Sequence, residues 1–370
     1  MMTSEDLQAL ERMVSLIGLG LGLLLGWVSR FAGFCTLGAI TDWYASGDRS
    51  RLRMWLLAIA IAILGTQFLI LTNQIQVKDS FYLSQRVFWL SHIVGGLLFG
   101  FGMALASGCG GRTLIRIGGG SLKALVVFLV MAIVAFITMR GLLGVFRVET
   151  LEKVFFVLRS PQDIASLLTA GLSMGAEQVR IAVTAIATLG LLGYVFFNTE
   201  FRSQPRRIVA GLMIGLLVVA AWWTTGFFGF VAEDPNTLEP RFVATNTRGI
   251  ESLTFVAPLA YWLDLLMFWS DSSRSITFGI ATVSGVVLGS LLHAMATRSF
   301  RWEGFQSRQD LSRHLVGAML MGFGGVVAFG CTIGQGISGL SLLAIGSILT
   351  IVAIVIGAWL GLAWLERKAS

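Results

Sequence analysis

Three cysteines occur in this chain of 370 residues, and each sits among glycines: AGFCTLGA (32–39), SGCGGRT (107–113) and FGCTIGQG (329–336). Glycine lets a helix break, turn through positive φ and bring backbone close to a ligand. The N–H groups freed at such a break, and the helix start after it, attract anions. A thiol beside them adds a soft, weakly donating contact. Backbone amides plus thiols suit a small anion with a soft atom, such as a sulfur oxyanion. The candidate path residues are therefore Cys35, Cys109 and Cys331, the flanking Gly33, Gly108, Gly110 and Gly330, and the polar neighbours Thr36, Thr332 and Gln335. A single buried membrane cysteine is usually a packing residue. Here all three thiols of the chain fall in glycine-flanked breaks, which favours function over packing. No CxxC, no HxxxH and no carboxylate accompanies them, so neither a metal nor another cofactor is expected.

Two of these loops belong to an internal repeat. At an offset of 222, HIVGGLLFGFGMALASGC (92–109) and HLVGAMLMGFGGVVAFGC (314–331) are identical at ten of 18 positions, His and Cys included. Earlier in each half, Gly22-xxx-Gly26 leads to GFCTLG and Gly211-xxx-Gly215 leads to WWTTGFFG, so a fourth interruption is expected at Thr224–Gly226. His92 and His314 read as packing or interfacial residues at span ends, and His293 as structural.

The elements that must carry these loops are membrane helices. The chain is 55% hydrophobic and 13% charged, with mean hydropathy +0.81, whereas a soluble domain holds roughly 25% charged residues. Its 44 glycines and five prolines point to close helix contacts or backbone-lined cavities. The net charge of +7 does not indicate nucleic acid, because the basic residues punctuate apolar runs and form no stripe with interleaved aromatics. Nine apolar spans are expected, at 13–29, 54–72, 89–107, 121–140, 178–197, 207–225, 276–297, 314–330 and 338–364, each near the ~20 residues that cross a bilayer. The acidic start MMTSEDLQALERM lacks a basic n-region, so no signal peptide is expected.

Short-loop Lys and Arg set the orientation. With the N-terminus outside and the C-terminus inside, the inner segments hold most of them: Arg49, Arg51, Arg53, Arg112, Arg116, Lys123, Arg202, Arg206, Arg207, Arg298, Arg301, Arg308, Arg313, Arg367 and Lys368. On this count the two copies of the repeat run in opposite directions. The fold class is then all-α integral membrane, with two inverted four-helix repeats (13–145 and 207–364), a linking segment and helix (146–200), and broken helices at the waist, all in one domain. Inverted repeats of this kind handle substrate near the midplane. Residues 146–177 and 231–257 read as surface connections without chemistry. Trp43, Trp55, Trp89, Trp302 and Trp364 lie near expected span ends, as interfacial tryptophans do.

At GFCTLGAITDWY, SGCGGRT, RSFRWEG and GFGGVVAFGCTIGQG the chain resembles the YeeE/YedE family, over nearly its whole length. Gly33 stands where some members carry a polar or basic residue. The resemblance implies an hourglass-shaped protein of a bacterial inner membrane that imports thiosulfate. It implies that Cys35, Cys109 and Cys331 line the path and hydrogen-bond to the passing ion, and that a small cytoplasmic TusA-like sulfurtransferase is a partner. Transport of another sulfur or selenium solute is one alternative. A membrane sulfurtransferase or redox protein forming a cysteine persulfide is another; it needs an activated thiolate and a resolving partner, and no His adjoins a Cys here. Few acids fall near spans. Asp264 and Asp42 are the nearest, which favours a uniporter or channel-like path over proton coupling.

Overall fold

The computed structural model describes residues 3–169, 175–235, 237–271 and 274–369. In a bilayer every backbone polar group must be satisfied within the segment, and long apolar sequences therefore become helices. The helices are α1 (Ser4–Ala32), α2 (Thr36–Ser46), α3 (Ser50–Leu71), α4 (Trp89–Leu105), α5 (Gly110–Gly118), α6 (Leu122–Arg140), α7 (Leu142–Thr150) and α8 (Ile164–Thr169). There follow α9 (Ala176–Phe196), α10 (Thr199–Arg202), α11 (Pro205–Trp223), α12 (Val256–Met267), α13 (Phe278–Ala296), α14 (Arg308–Val327) and α15 (Ile345–Ala369). Ends are set by familiar chemistry. Thr3 and Asp6 form a capping box on α1, and Pro205 opens α11 at a position where its missing N–H costs nothing.

Among the described residues eight helical segments are long and apolar enough to span a bilayer. The remaining expected span is α14, whose first two turns carry Arg308, Asp310 and Arg313 and dilute its apolar composition. Two-residue strands, β1 (Arg86–Val87) with β2 (Phe156–Val157) and β3 (Phe230–Val231) with β4 (Arg241–Phe242), pair antiparallel between helices.

The principal packings join early helices to late ones: α1 with α13, α3 with α11, α4 with α15, α4 with α14, and α6 with α14. Glycine makes these seams. A side chain at Gly22 would strike the backbone of Thr282, and one at Gly26 that of Val286. Gly211 and Gly215 meet the carbonyls of Met54 and Ala58 in the same manner on the α3–α11 seam. Between α4 and α14 the approach is reciprocal. A Cβ on Gly102 would lie 2.6 Å from the Gly317 oxygen, and one on Gly317 would lie 2.6 Å from the Gly102 oxygen. Gly95 and Gly324 repeat this one helical stretch away.

Both connections read as inert do more than connect. In 231–257, of which Asn236 lies outside the described residues, the last turn sends Ile250, Leu253 and Phe255 into the core, each 1% exposed. In 146–177, of which residues 170–174 lie outside the described residues, Asp163 is fully buried and pairs with Arg180 of α9 at 3.0 Å. Arg180 also donates to Gln67 on α3, and Gln67 holds the Ser341 carbonyl, so α9 is tied to the bundle through polar groups. Asp264 is buried between Arg140 (3.5 Å) and Arg274 (2.9 Å), and Asp42 pairs with Arg51 at 3.2 Å. His92 and His314 are buried and bonded to Thr350 and to Asp310, respectively.

The turn from α5 to α6 is clamped by the loop before α14. Arg116 grips Glu303 through both carboxylate oxygens at 3.1 Å, Leu122 N–H donates to the Glu303 carbonyl, and Lys123 lies 3.8 Å from its carboxylate. Partial burial works against ionisation of Glu303, but hydrogen bonds from Arg116 and Ser121 outweigh it and hold the carboxyl below its usual range. A depressed carboxylate stabilises the fold above its unfolded pKa, and that contribution is lost as pH falls through the folded value. Glu303→Gln is therefore expected to lower the melting temperature at pH 7 and to leave it close to wild type near pH 3. The effect is small, roughly 0–1 kcal/mol, because the pair is half exposed.

Candidate functional site

Each cysteine is placed at the start of a short helical segment. Helix α1 ends at Gly33, in the left-handed region at φ 67°, and Cys35 then caps α2, its Sγ accepting from Gly38 N at 3.2 Å. Helix α4 ends through Ser107 at φ 56°, and Cys109 is the N-cap of α5. Helix α14 ends through Phe329 at φ 57° and Gly330 at φ 157°. Cys331 then starts a further turn, its Sγ accepting from Gly334 N at 3.5 Å, and a π-helical stretch covers Gly334–Gly339. Ser107 and Phe329 are equivalent in the repeat and share the same unusual backbone. All three thiols are reduced and buried.

The flanking glycines have separate reasons. Gly33 and Gly330 supply backbone angles that side chains avoid. Gly108 makes room for the stem of Arg112, whose Cδ would sit 2.9 Å from an added Cβ. Gly110 faces only ordinary contacts, the nearest being Met131 at 3.5 Å. The expected fourth interruption does not break the helix. Thr224–Phe228 is a π-helical end to α11, and Thr225 is spent on the Ala221 and Glu251 carbonyls. No thiol and no freed helix start lies there.

Cys35 and Cys109 line one small cavity with Thr36, Trp55, Arg112 and Phe255. Its volume is about 20 Å³, room for one water. Arg112 Nη1 donates to Cys35 Sγ at 3.1 Å. Thr332 lies against the Cys109 thiol, and Cys331 is within electrostatic reach of it. On the other side of the 329–335 turn a cavity of about 170 Å³ is lined by Tyr82, Arg86, Phe88, His92, Phe329 and Gln335. Ile333 faces the small cavity, so this turn divides the two. Cys331 sits within it, 3.9 Å from the Thr254 hydroxyl. The Gln335 amide is engaged at both its nitrogen and its oxygen, donating to the Ala328 carbonyl at 2.8 Å and accepting from Ser347 at 2.5 Å. It braces the break against α15.

Three lining residues, Trp55, Arg112 and Phe255, and Thr254 beside Cys331 were not legible as such. Trp55, expected at an interface, is buried and stacked on Phe34 at 4.5 Å. Arg112, expected among the inner-loop cations, is half-buried on a thiol. Its signal was present: a lone cation three residues after a glycine-flanked cysteine, with no acid nearby. Thr254 and Phe255 arrive from a distant loop, and no local pattern announces them.

The arrangement presents donors and few acceptors: a guanidinium, thiols, hydroxyls and an indole N–H, around a small buried cavity. Donors arranged in this way can receive an oxyanion. The profile of the sulphur-transport family matches residues 31–360. The chain is 28% identical to a protein named thiosulfate transporter TsuA from Escherichia coli (strain K12), over 96% of each chain. It is 25% identical to a protein of the same name from Spirochaeta thermophila, over 94% of this chain and 98% of the relative. With its helices, its cysteine-capped breaks and a family match over most of its length, the chain belongs to the sulphur-transport family, the YeeE/YedE group.

Proposed function

We propose that this multi-pass membrane transporter of sulfur anions imports thiosulfate through the constriction formed by Cys331, Cys109 and Cys35. The observation that carries the reading is the placing of three buried thiols at three helix starts, two of them, Cys35 and Cys109, lining a cavity furnished with donors and the third, Cys331, in the turn beside it. The thiols act as neutral donors, because thiolates would repel a dianion. Thiosulfate passes from the larger cavity to Cys331, then to Cys109 with Thr332, and leaves past Cys35. The N-terminus lies outside and the C-terminus inside a bacterial inner membrane, with inner loops rich in Arg. The two halves are inverted repeats, a reading supported by the reciprocal Gly102–Gly317 and Gly95–Gly324 approaches. A TusA-like sulfurtransferase accepts the cargo inside.

No carboxylate lines either cavity among the described residues, which supports a uniport path drawn by consumption of substrate. Moving two charges inward against the membrane potential costs about 2.3 kcal/mol per charge per 100 mV, so rapid use inside is required. Growth tests the reading. A sulfur-source auxotroph lacking its own uptake systems should grow on thiosulfate when this gene is supplied, and not without it. Growth on sulfate or sulfite but never on thiosulfate would move the assignment to another sulfur anion. A stable persulfide on Cys109 during turnover, seen by mass spectrometry, would replace transport by sulfur transfer.

A further inference from the structure

The partner of Arg112 is out of keeping with its charge. A guanidinium inside a membrane protein ordinarily pairs with a carboxylate, and two N–H groups of its planar fork match two oxygens of an oxyanion. Arg112 instead spends Nη1 on the Cys35 thiol at 3.1 Å, a weak acceptor. Asp42, the carboxylate within its electrostatic reach, is already paired with Arg51. Two more donors line the same cavity with nothing to bind. Thr36 Oγ1 and Trp55 Nε1 are buried without a hydrogen-bond partner, and their residues are 8% and 5% exposed. Buried donors left unmatched are costly unless a ligand completes them.

The geometry points to Arg112 as a substrate-exchanged latch: in the empty protein it holds Cys35 and closes the small cavity, and an arriving sulfur oxyanion takes the guanidinium from the thiol. The oxygens of the ion then accept from Arg112, Thr36 and Trp55, and its soft sulfur faces Cys35 and Cys109. The volume agrees with a closed state, since a cavity for one water cannot hold an ion of five heavy atoms. The exchange is driven by chemistry, because a charge-assisted, forked contact to an oxyanion is stronger than a donation to a neutral thiol. It also explains Gly108, the one flanking glycine whose space is taken up by the Arg112 stem. The latch rests on the transport reading above and adds to it a residue that selects for negative charge and opens on binding it.

Initial rates of thiosulfate uptake into proteoliposomes test it, with wild type, Arg112→Lys and Arg112→Gln, together with melting temperatures measured with and without thiosulfate. The Gln variant should raise KM roughly tenfold or more, the usual loss for one charge-assisted contact. Lys, which keeps the charge and loses the fork, should fall between. The rise in melting temperature that thiosulfate gives wild type should vanish in the Gln variant, while its substrate-free melting temperature stays close to wild type. A purely structural arginine would show the opposite pattern. Should Gln fail to fold, Arg112→Met keeps the aliphatic stem over Gly108 and is read in the same way. A wild-type KM in either neutral variant overturns the latch alone. A wild type that takes up none of thiosulfate, sulfite and sulfate overturns the transport reading and the latch together.

Discussion

Replacing Cys109 or Cys331 by alanine is expected to cut thiosulfate uptake by one to two orders of magnitude while leaving the protein in the membrane in normal amount. The two residues are 3% and 1% exposed, and removing one sulfur from a buried site is a modest loss for a bundle of this size. For the substrate the loss is not modest. A dianion in a low-dielectric constriction that loses a donor forfeits about 1.5–3 kcal/mol at that step, about ten- to 150-fold in rate. Serine should lose uptake as well, although it still donates. Conduction needs contacts favourable enough to admit the ion and weak enough to release it, and a hydroxyl is a harder, stronger donor than a thiol. Uptake of labelled thiosulfate, normalised to immunoblotted protein, reads the result. Full uptake by both alanine variants would sink the cysteine path.

The second large effect lies away from the thiols. Gly102→Ala and Gly317→Ala each place a methyl group 2.6 Å from the carbonyl oxygen of the facing helix. No rotamer change relieves a backbone contact, so α4 and α14 must separate. Overpacking of this kind costs about 1–3 kcal/mol, and the two together should leave little folded protein. Gly20→Ala is the control. Nothing lies within 4 Å of a Cβ there, and alanine in a helix interior is better than glycine by roughly 1 kcal/mol. Detergent-solubilised melting curves should fall for the first two and hold or rise for the third. Equal behaviour of all three would show that the α4–α14 approach does not carry the bundle.

How far the sequence could be read follows from which of these contacts are local. The long helices were legible because apolar length is a local property, and the breaks at Cys35, Cys109 and Cys331 were legible because glycine on both sides of a thiol is local too. Gly22, Gly26, Gly211 and Gly215 were visible as a motif but not as two equivalent seams, since their partners lie on helices far away in sequence. Thr224–Gly226 matched the pattern of a break, yet the hydroxyl of Thr225 is satisfied at once by two nearby carbonyls, and the helix simply ends. Trp55 was misread by rules of position along a span, which average over residues and cannot tell a loop end from a cavity wall, and the same rules left the thiol contact of Arg112 unread. Phe255 and Thr254 could not be reached at all, because a loop of ordinary composition places them.

The glycine seams have a consequence for how the protein is made. Each strong packing pairs an early helix with a late one, and the Gly22 seam needs Thr282, 260 residues further on. At about 5–20 residues per second of synthesis, α1 sits in the bilayer for roughly 10–50 seconds before its partner exists. During that interval its glycine face has only lipid against it, and no half of the molecule can finish folding ahead of the other. Assembly is thus deferred to the end of translation. A ribosome that stops between α9 and α13 releases α1, α4 and α6 inserted without their principal partners α13, α14 and α15, the kind of product that membrane proteases remove.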